Sequence, residues 1–160
     1  PISTKDLWGF AESQETVGIS PTMFEEFIFP YQKTLLDLFG LACYGCCEPV
    51  HLRWHVIKKQ PNLRRVSCSP WVDQEFMAEA LGNRYIFSRK PNPTLVCMGF
   101  DEDQVRQDLR STMDIAGGGV LEVIMKDTHT VQGDASRLTR WVKVALEEAE
   151  RRASKSISQV

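Results

Sequence analysis

The residues most able to do chemistry lie in one short stretch, Tyr44-Gly45-Cys46-Cys47-Glu48-Pro49-Val50-His51. Thiolates and carboxylates bind zinc, and a catalytic zinc takes about three protein ligands and keeps one position open. Cys46, Glu48 and the remote His129 supply such a set. The competing reading makes Cys43 and one of the adjacent cysteines small buried apolar residues. His129 closes the polar run Lys126-Asp127-Thr128-His129 and reads as a ligand, a general acid/base or a hydrogen-bonded loop residue. With Glu48 and Asp127 it forms the candidate catalytic set, since carboxylates and imidazole are the usual proton carriers. Arg89-Lys90 suits an anionic substrate, and Trp71 either walls a pocket or packs. His51 and His55 stand four apart, a spacing that can bind metal on a helix, but they read as surface residues. Glu12, Gln14 and Glu15 belong to a loop that can reach the site.

These groups fall at the ends of apolar runs. Ser20 caps a long helix with Pro21 in its first turn. Phe24, Phe27, Ile28, Tyr31, Leu35 and Leu38 recur at helical spacing, Pro30 kinks or splits the helix, and Gly40 ends it. Leu41-Ala42-Cys43-Tyr44 reads as a buried strand, followed by a weak helix over 51–59. Residues 63–68 form a second strand, then a short helix capped by Asp73. Tyr85-Ile86-Phe87 is a third strand, and Asp101 begins a helix carrying Val105, Leu109 and Met113. Gly117-Gly118-Gly119 breaks it. Residues 120–125 form the last strand, and Asp134 caps a final helix with a stripe of Leu138, Trp141, Val142, Ala145 and Ala149.

Strict strand–helix alternation implies an α/β fold with a parallel sheet. Four such units after a long helix make half of a (βα)8 barrel, or a small open sheet. Either way Cys46, Cys47, Glu48, Ser69, Trp71, Arg89, Lys90, Lys126, Asp127 and His129 follow strand ends, so they share the C-terminal rim where such folds place active sites. The expected organisation is a loop segment over 1–19, the βα domain over 20–152 and a frayed tail over 153–160.

Composition narrows the class. The chain has 160 residues, 42% hydrophobic and 25% charged, which suits one domain with a real core. With 19 basic and 21 acidic residues the net charge is −2, so no basic surplus points to nucleic acid. No apolar run approaches the roughly 18 residues of a membrane span. Five cysteines, two adjacent, fit a disulfide framework poorly and suggest a reducing cytoplasm. Pro1 is not an initiator methionine, so the visible start reads as an edge.

Ile19-Ser20-Pro21-Thr22-Met23-Phe24-Glu25-Glu26-Phe27 with Pro30-Tyr31 resembles the "SP…F…F…PY" helix of the uroporphyrinogen decarboxylase superfamily. Tyr44-Gly45-Cys46-Cys47 falls where that superfamily has "H-x-C-G", Asn92-Pro93 resembles its "GN-x-x-P" turn, and the 127–131 loop falls at its distal motif. The resemblance covers about residues 5–150 and maps onto the later barrel strands. It implies one of two chemistries. One is metal-free decarboxylation of a tetrapyrrole. The other is methyl transfer between corrinoids and thiols on a zinc held by His, Cys and Cys. Here Tyr44 replaces the histidine, Cys46 is kept, and His129 replaces the distal cysteine. The cysteines favour the methyl-transfer branch, with zinc and a corrinoid on a partner protein. Tyr44 then joins Arg89, Lys90 and Trp71 as a candidate substrate-binding residue. A small-molecule substrate and the N-terminal half of the barrel, or a second copy, complete the expected partners. A stand-alone, non-catalytic half-barrel module is the remaining alternative.

Overall fold

The computed structural model describes residues 1–157, with side chains through 154. Five strands form one sheet: β1 (Trp8–Ala11), β2 (Leu41–Tyr44), β3 (Leu63–Cys68), β4 (Ile86–Arg89) and β5 (Val120–Val123). All are parallel, and their order in space is their order in the chain. Between β1 and β2 lie α1 (Pro21–Phe27) and α2 (Phe29–Leu36). The later connections carry α3 (Trp54–Ile57), α4 (Gln74–Leu81), then α5 (Thr94–Cys97) and α6 (Glu102–Ile115), and α7 (Ser136–Ile157) follows β5.

Parallel crossovers of constant hand place their helices on one face of the sheet, and burial shows which. Ala42, Tyr44, Val66, Cys68 and Phe87 join one core with Leu36, Ile57, Met77 and Leu81. A second cluster of Val96, Val105, Leu109, Trp141 and Val144 joins α5, α6 and α7. The alternate strand residues Trp8, Phe10, Leu41 and Val120 remain exposed. They flank an open hollow of about 530 Å³ lined by Cys43, Arg65, Ile86 and Glu122. Across it Arg65 pairs with Glu122 at 2.6 Å and donates to Ser88 Oγ at 3.2 Å. A sequentially ordered parallel sheet, helices on one side and the other side open, is compatible with part of an α/β barrel.

Several expectations need adjustment. The segment 1–19 is not only loop, because Trp8-Gly9-Phe10-Ala11 is β1. Its large side chains face the open side, while Gly9 lies where an added Cβ would strike the Phe39 ring at 2.5 Å. The sheet therefore has five strands, not four. Ser20 does cap α1, accepting from Met23 N at 3.1 Å, and the helix splits at Ile28 just before Pro30. The split changes the buried stripe. Phe24, Phe29 and Leu36 are buried, with a five-residue step across the break, whereas Phe27, Tyr31, Leu35 and Leu38 are exposed. In α7 the buried face is Trp141, Val144 and Glu148, so Leu138 and Val142 face outward. That helix continues to Ile157, past the expected start of the tail; residues 158–160 lie outside the described residues.

Candidate functional site

The rim is built by Glu48. Gly45 ends β2 with φ +98°, and a Cβ there would lie 2.8 Å from Ser67 O, so only glycine turns the chain this close to β3. Three residues later the Glu48 side chain folds back, 2% exposed. Its Oε1 accepts from Ser13 N at 2.9 Å and its Oε2 from Cys46 N at 2.8 Å, while Ser69 Oγ donates to Glu48 O at 3.1 Å. One residue thus ties together the chain leaving β1, β2 and β3. Arg53, buried behind it, donates to Thr16 Oγ1 at 3.1 Å and holds the loop after β1.

The turn presents Cys46 and Cys47, both half-buried and reduced, with their sulfurs 3.6 Å apart. Lys90, just past β4, donates its backbone N–H to Cys68 O at 2.8 Å and brings Nζ to 3.6 Å from Cys46 Sγ. Lys126, past β5, lies close enough to Cys47 to feel its charge and pairs with Asp127 at 3.1 Å. Glu12, the residue after β1, has an Oε2 sealed from solvent with no hydrogen-bond partner. Burial raises its carboxyl pKa above the ordinary value. Glu15 and Glu48 add to the rise, and Lys90 opposes it. Burial likewise pushes the Cys46 thiol up, Cys47 adds to this, and Lys90 pulls it back. The rim therefore offers a carboxyl with raised proton affinity, two adjacent thiols and two ammonium groups. It can bind an anion, orient it and move a proton.

The sequence-predicted residues divide sharply. Lys90 and Cys46 meet. Trp71 stands on the rim, 62% exposed. Asp127 and His129 are exposed on the loop after β5, where Asp127 engages Lys126. Arg89 is a correction as a substrate-binding residue. It lies on the Phe87 side of β4, 3% exposed, near Asp108 of α6, and its Nη1 donates to Lys90 O at 2.5 Å. Alternation along a strand turns Arg89 toward the helices when its neighbour Lys90 reaches the rim. Tyr44 is corrected for the same reason. It is 1% exposed, packs edge-on against Phe24 and donates to Gln32 Oε1 at 2.8 Å, and burial raises its hydroxyl pKa.

Glu48 is corrected as catalyst and ligand, because both its oxygens are sealed and engaged by backbone N–H groups. Zinc therefore does not fit the set of Cys46, Glu48 and His129, and an ammonium faces Cys46 where a cation would sit. Among the described residues no group of three His, Cys, Asp or Glu side chains can hold a metal ion. Sequence reasoning placed Cys47 and Lys126 on the rim without giving them a role, and ranked Glu12 low. The signal was available for Lys126 as a residue just past a strand; for Glu12 it depended on seeing β1.

A wider depression of about 710 Å³ lies along α6, lined by Glu75, Asp103, Arg106, Arg110 and Asp114. It is a solvated helix surface remote from the strand ends and carries none of this chemistry. No described helix is long and apolar enough to cross a membrane. Compared with known proteins, the chain matches no family model, no curated protein and no solved structure.

Proposed function

We propose that this chain supplies one side of a (βα)8-barrel active site in an enzyme of the uroporphyrinogen decarboxylase superfamily, on its methyl-transfer branch. The observation that carries the reading is the pair of thiols, each beside a lysine, at the C-terminal ends of parallel strands. Metal-free decarboxylation has no use for such a pair. In the proposed reaction a methyl group passes from a corrinoid protein, or a methylated small molecule, to a thiol. The thiol must lose its proton as the sulfur–carbon bond forms, while the bond between that carbon and its donor breaks and its electron pair leaves with the donor. Lys90 and Lys126 hold the thiolate or a substrate carboxylate by charge, and Glu12, with its raised proton affinity, accepts the proton. The open hollow and the free edges of β1 and β5 are where further βα units, or a second copy, complete the barrel.

The test is demethylation of methylcobalamin by the full-length protein with a small thiol, followed by absorbance. The Lys90→Met Lys126→Met double variant is expected to lose at least about tenfold in rate, the scale of one lost charge-assisted contact. An unchanged rate overturns the proposal. Decarboxylation of a tetrapyrrole is the second reading, favoured by the juxtaposition of the buried Glu12 oxygen and Lys90. Carbon dioxide release without any methyl transfer would establish it instead.

A further inference from the structure

The adjacent thiols have a property separate from any transfer reaction. Their sulfurs are 3.6 Å apart, half-buried on the open rim, and flanked by Lys90 and Lys126. Lys90 opposes the rise that burial imposes on the Cys46 thiol, and the thiolate is the form that attacks an electrophile. Both are free, and Cys43 and Cys68 lie buried within strands. We infer that Cys46 and Cys47 form a reversible, peroxide-oxidised dithiol switch that closes to a vicinal disulfide.

The chemistry balances. One thiolate attacks the terminal oxygen of a hydroperoxide, ROOH, and breaks its O–O bond. It becomes a sulfenic acid, and the departing alkoxide takes a proton and leaves as ROH. The neighbouring thiol displaces hydroxide from the sulfenic sulfur, forms the S–S bond and releases water. The two thiols supply two electrons and the peroxide takes them. Either sulfur can be oxidised first, with the same product.

Geometry makes the product labile. Adjacent Cα atoms are held about 3.8 Å apart by the peptide bond, while unstrained disulfides span about 4.4–6.8 Å between Cα atoms. The sulfurs must also close from 3.6 Å to about 2.04 Å. The bond therefore carries strain and is readily reduced, as regulatory disulfides are. Closure also converts the thiol that accepts from Lys90 into a disulfide sulfur and pulls on the turn that Glu48 fastens through Cys46 N. Oxidation so removes both thiols from the rim at once. The reaction stands whatever substrate the rim takes.

The experiment treats the full-length, reduced protein with hydrogen peroxide, alkylates the free thiols and maps them by mass spectrometry. The expected product is a peptide with Cys46 and Cys47 both unalkylated and lighter by two hydrogens, fully restored by dithiothreitol. In Cys46→Ser, once its melting profile has established that it folds, Cys47 is expected to accumulate as a sulfenic acid captured by dimedone. A disulfide through Cys97 or between chains, direct passage to the sulfinic acid, or full alkylation of both cysteines after peroxide overturns the proposal.

Discussion

Replacing Glu48 by Gln separates a residue that fastens the rim from one that works in its chemistry. The carboxylate accepts two backbone N–H bonds at 2.9 and 2.8 Å from a side chain only 2% exposed. Hydrogen bonds to a charged acceptor contribute about 1.5–3 kcal/mol each. Glutamine keeps one oxygen but turns its NH2 toward the other donor, so one bond is lost and a buried N–H faces another N–H. Removing the charge also relieves the cost of burying it, which partly offsets the loss. The net cost is about 2–3 kcal/mol. A chain of this length melts about 2–4 °C lower per kcal/mol, so Tm should fall by about 5–10 °C. Glu48→Ala strands both donors and should cost about 4 kcal/mol. Calorimetry at neutral pH measures the shift, and the rate of Cys46 alkylation reports release of the turn. A metal ligand or proton donor would behave otherwise, with glutamine removing turnover and leaving Tm in place. A Tm within about 2 °C of the wild type refutes the fastening role.

Two further outcomes follow from buried contacts. Glu148 is clasped by Arg110, Arg106 and Arg151, and the Arg110 hydrogen bond above all holds its carboxyl down at about 2, below the ordinary 4.5. Its stabilisation is fully present above about pH 4.5 and is lost as pH falls toward 2. Denaturant titrations should therefore show Glu148→Gln weaker by about 2 kcal/mol at pH 7, a value kept low because Arg110 is half-exposed, with the gap closing over that window; a gap independent of pH contradicts the clasp. Tyr44→Phe removes the bond to Gln32 and should cost about 1 kcal/mol with kcat and KM unmoved, while a raised KM at unchanged Tm would return Tyr44 to the substrate side.

The alternation of strands and helices was legible because its punctuation is chemical. Asp73 accepts from Phe76 N at 3.0 Å, Asp101 caps α6, and Val105, Leu109 and Met113 are buried as their four-residue spacing requires. β1 was not legible. It is four residues long, half of them glycine and alanine, and its aromatic residues face the open side rather than a core. The exposed stripe of Phe27, Tyr31 and Leu35 misled for a related reason. Helical periodicity marks an apolar face but not what covers it, and the break before Pro30 moved the buried face to Phe24, Phe29 and Leu36.

The site was legible as a place and less so as a set of side chains. Strand order alone puts residues 46–48, 69–71, 90 and 126 on one rim, and the structure does so. What strand order leaves open is the face to which each side chain turns. Arg89 and Lys90 are adjacent, equally basic and opposite in fate, because a period of two sends one beneath α6 and the other to a thiol. Tyr44 and Cys46 are divided by Gly45, whose positive φ lets the chain turn from the core to the rim. Glu48 shows the limit most clearly. Its residue type suits a ligand or an acid, but it lies three residues past Gly45, within reach of the backbone N–H groups of Cys46 and of Ser13 in the loop after β1. Those donors need an acceptor once buried, and the carboxylate is the nearest one able to serve both. The chemistry then passes to the residues that Glu48 leaves free: Glu12, Cys46, Cys47, Lys90 and Lys126.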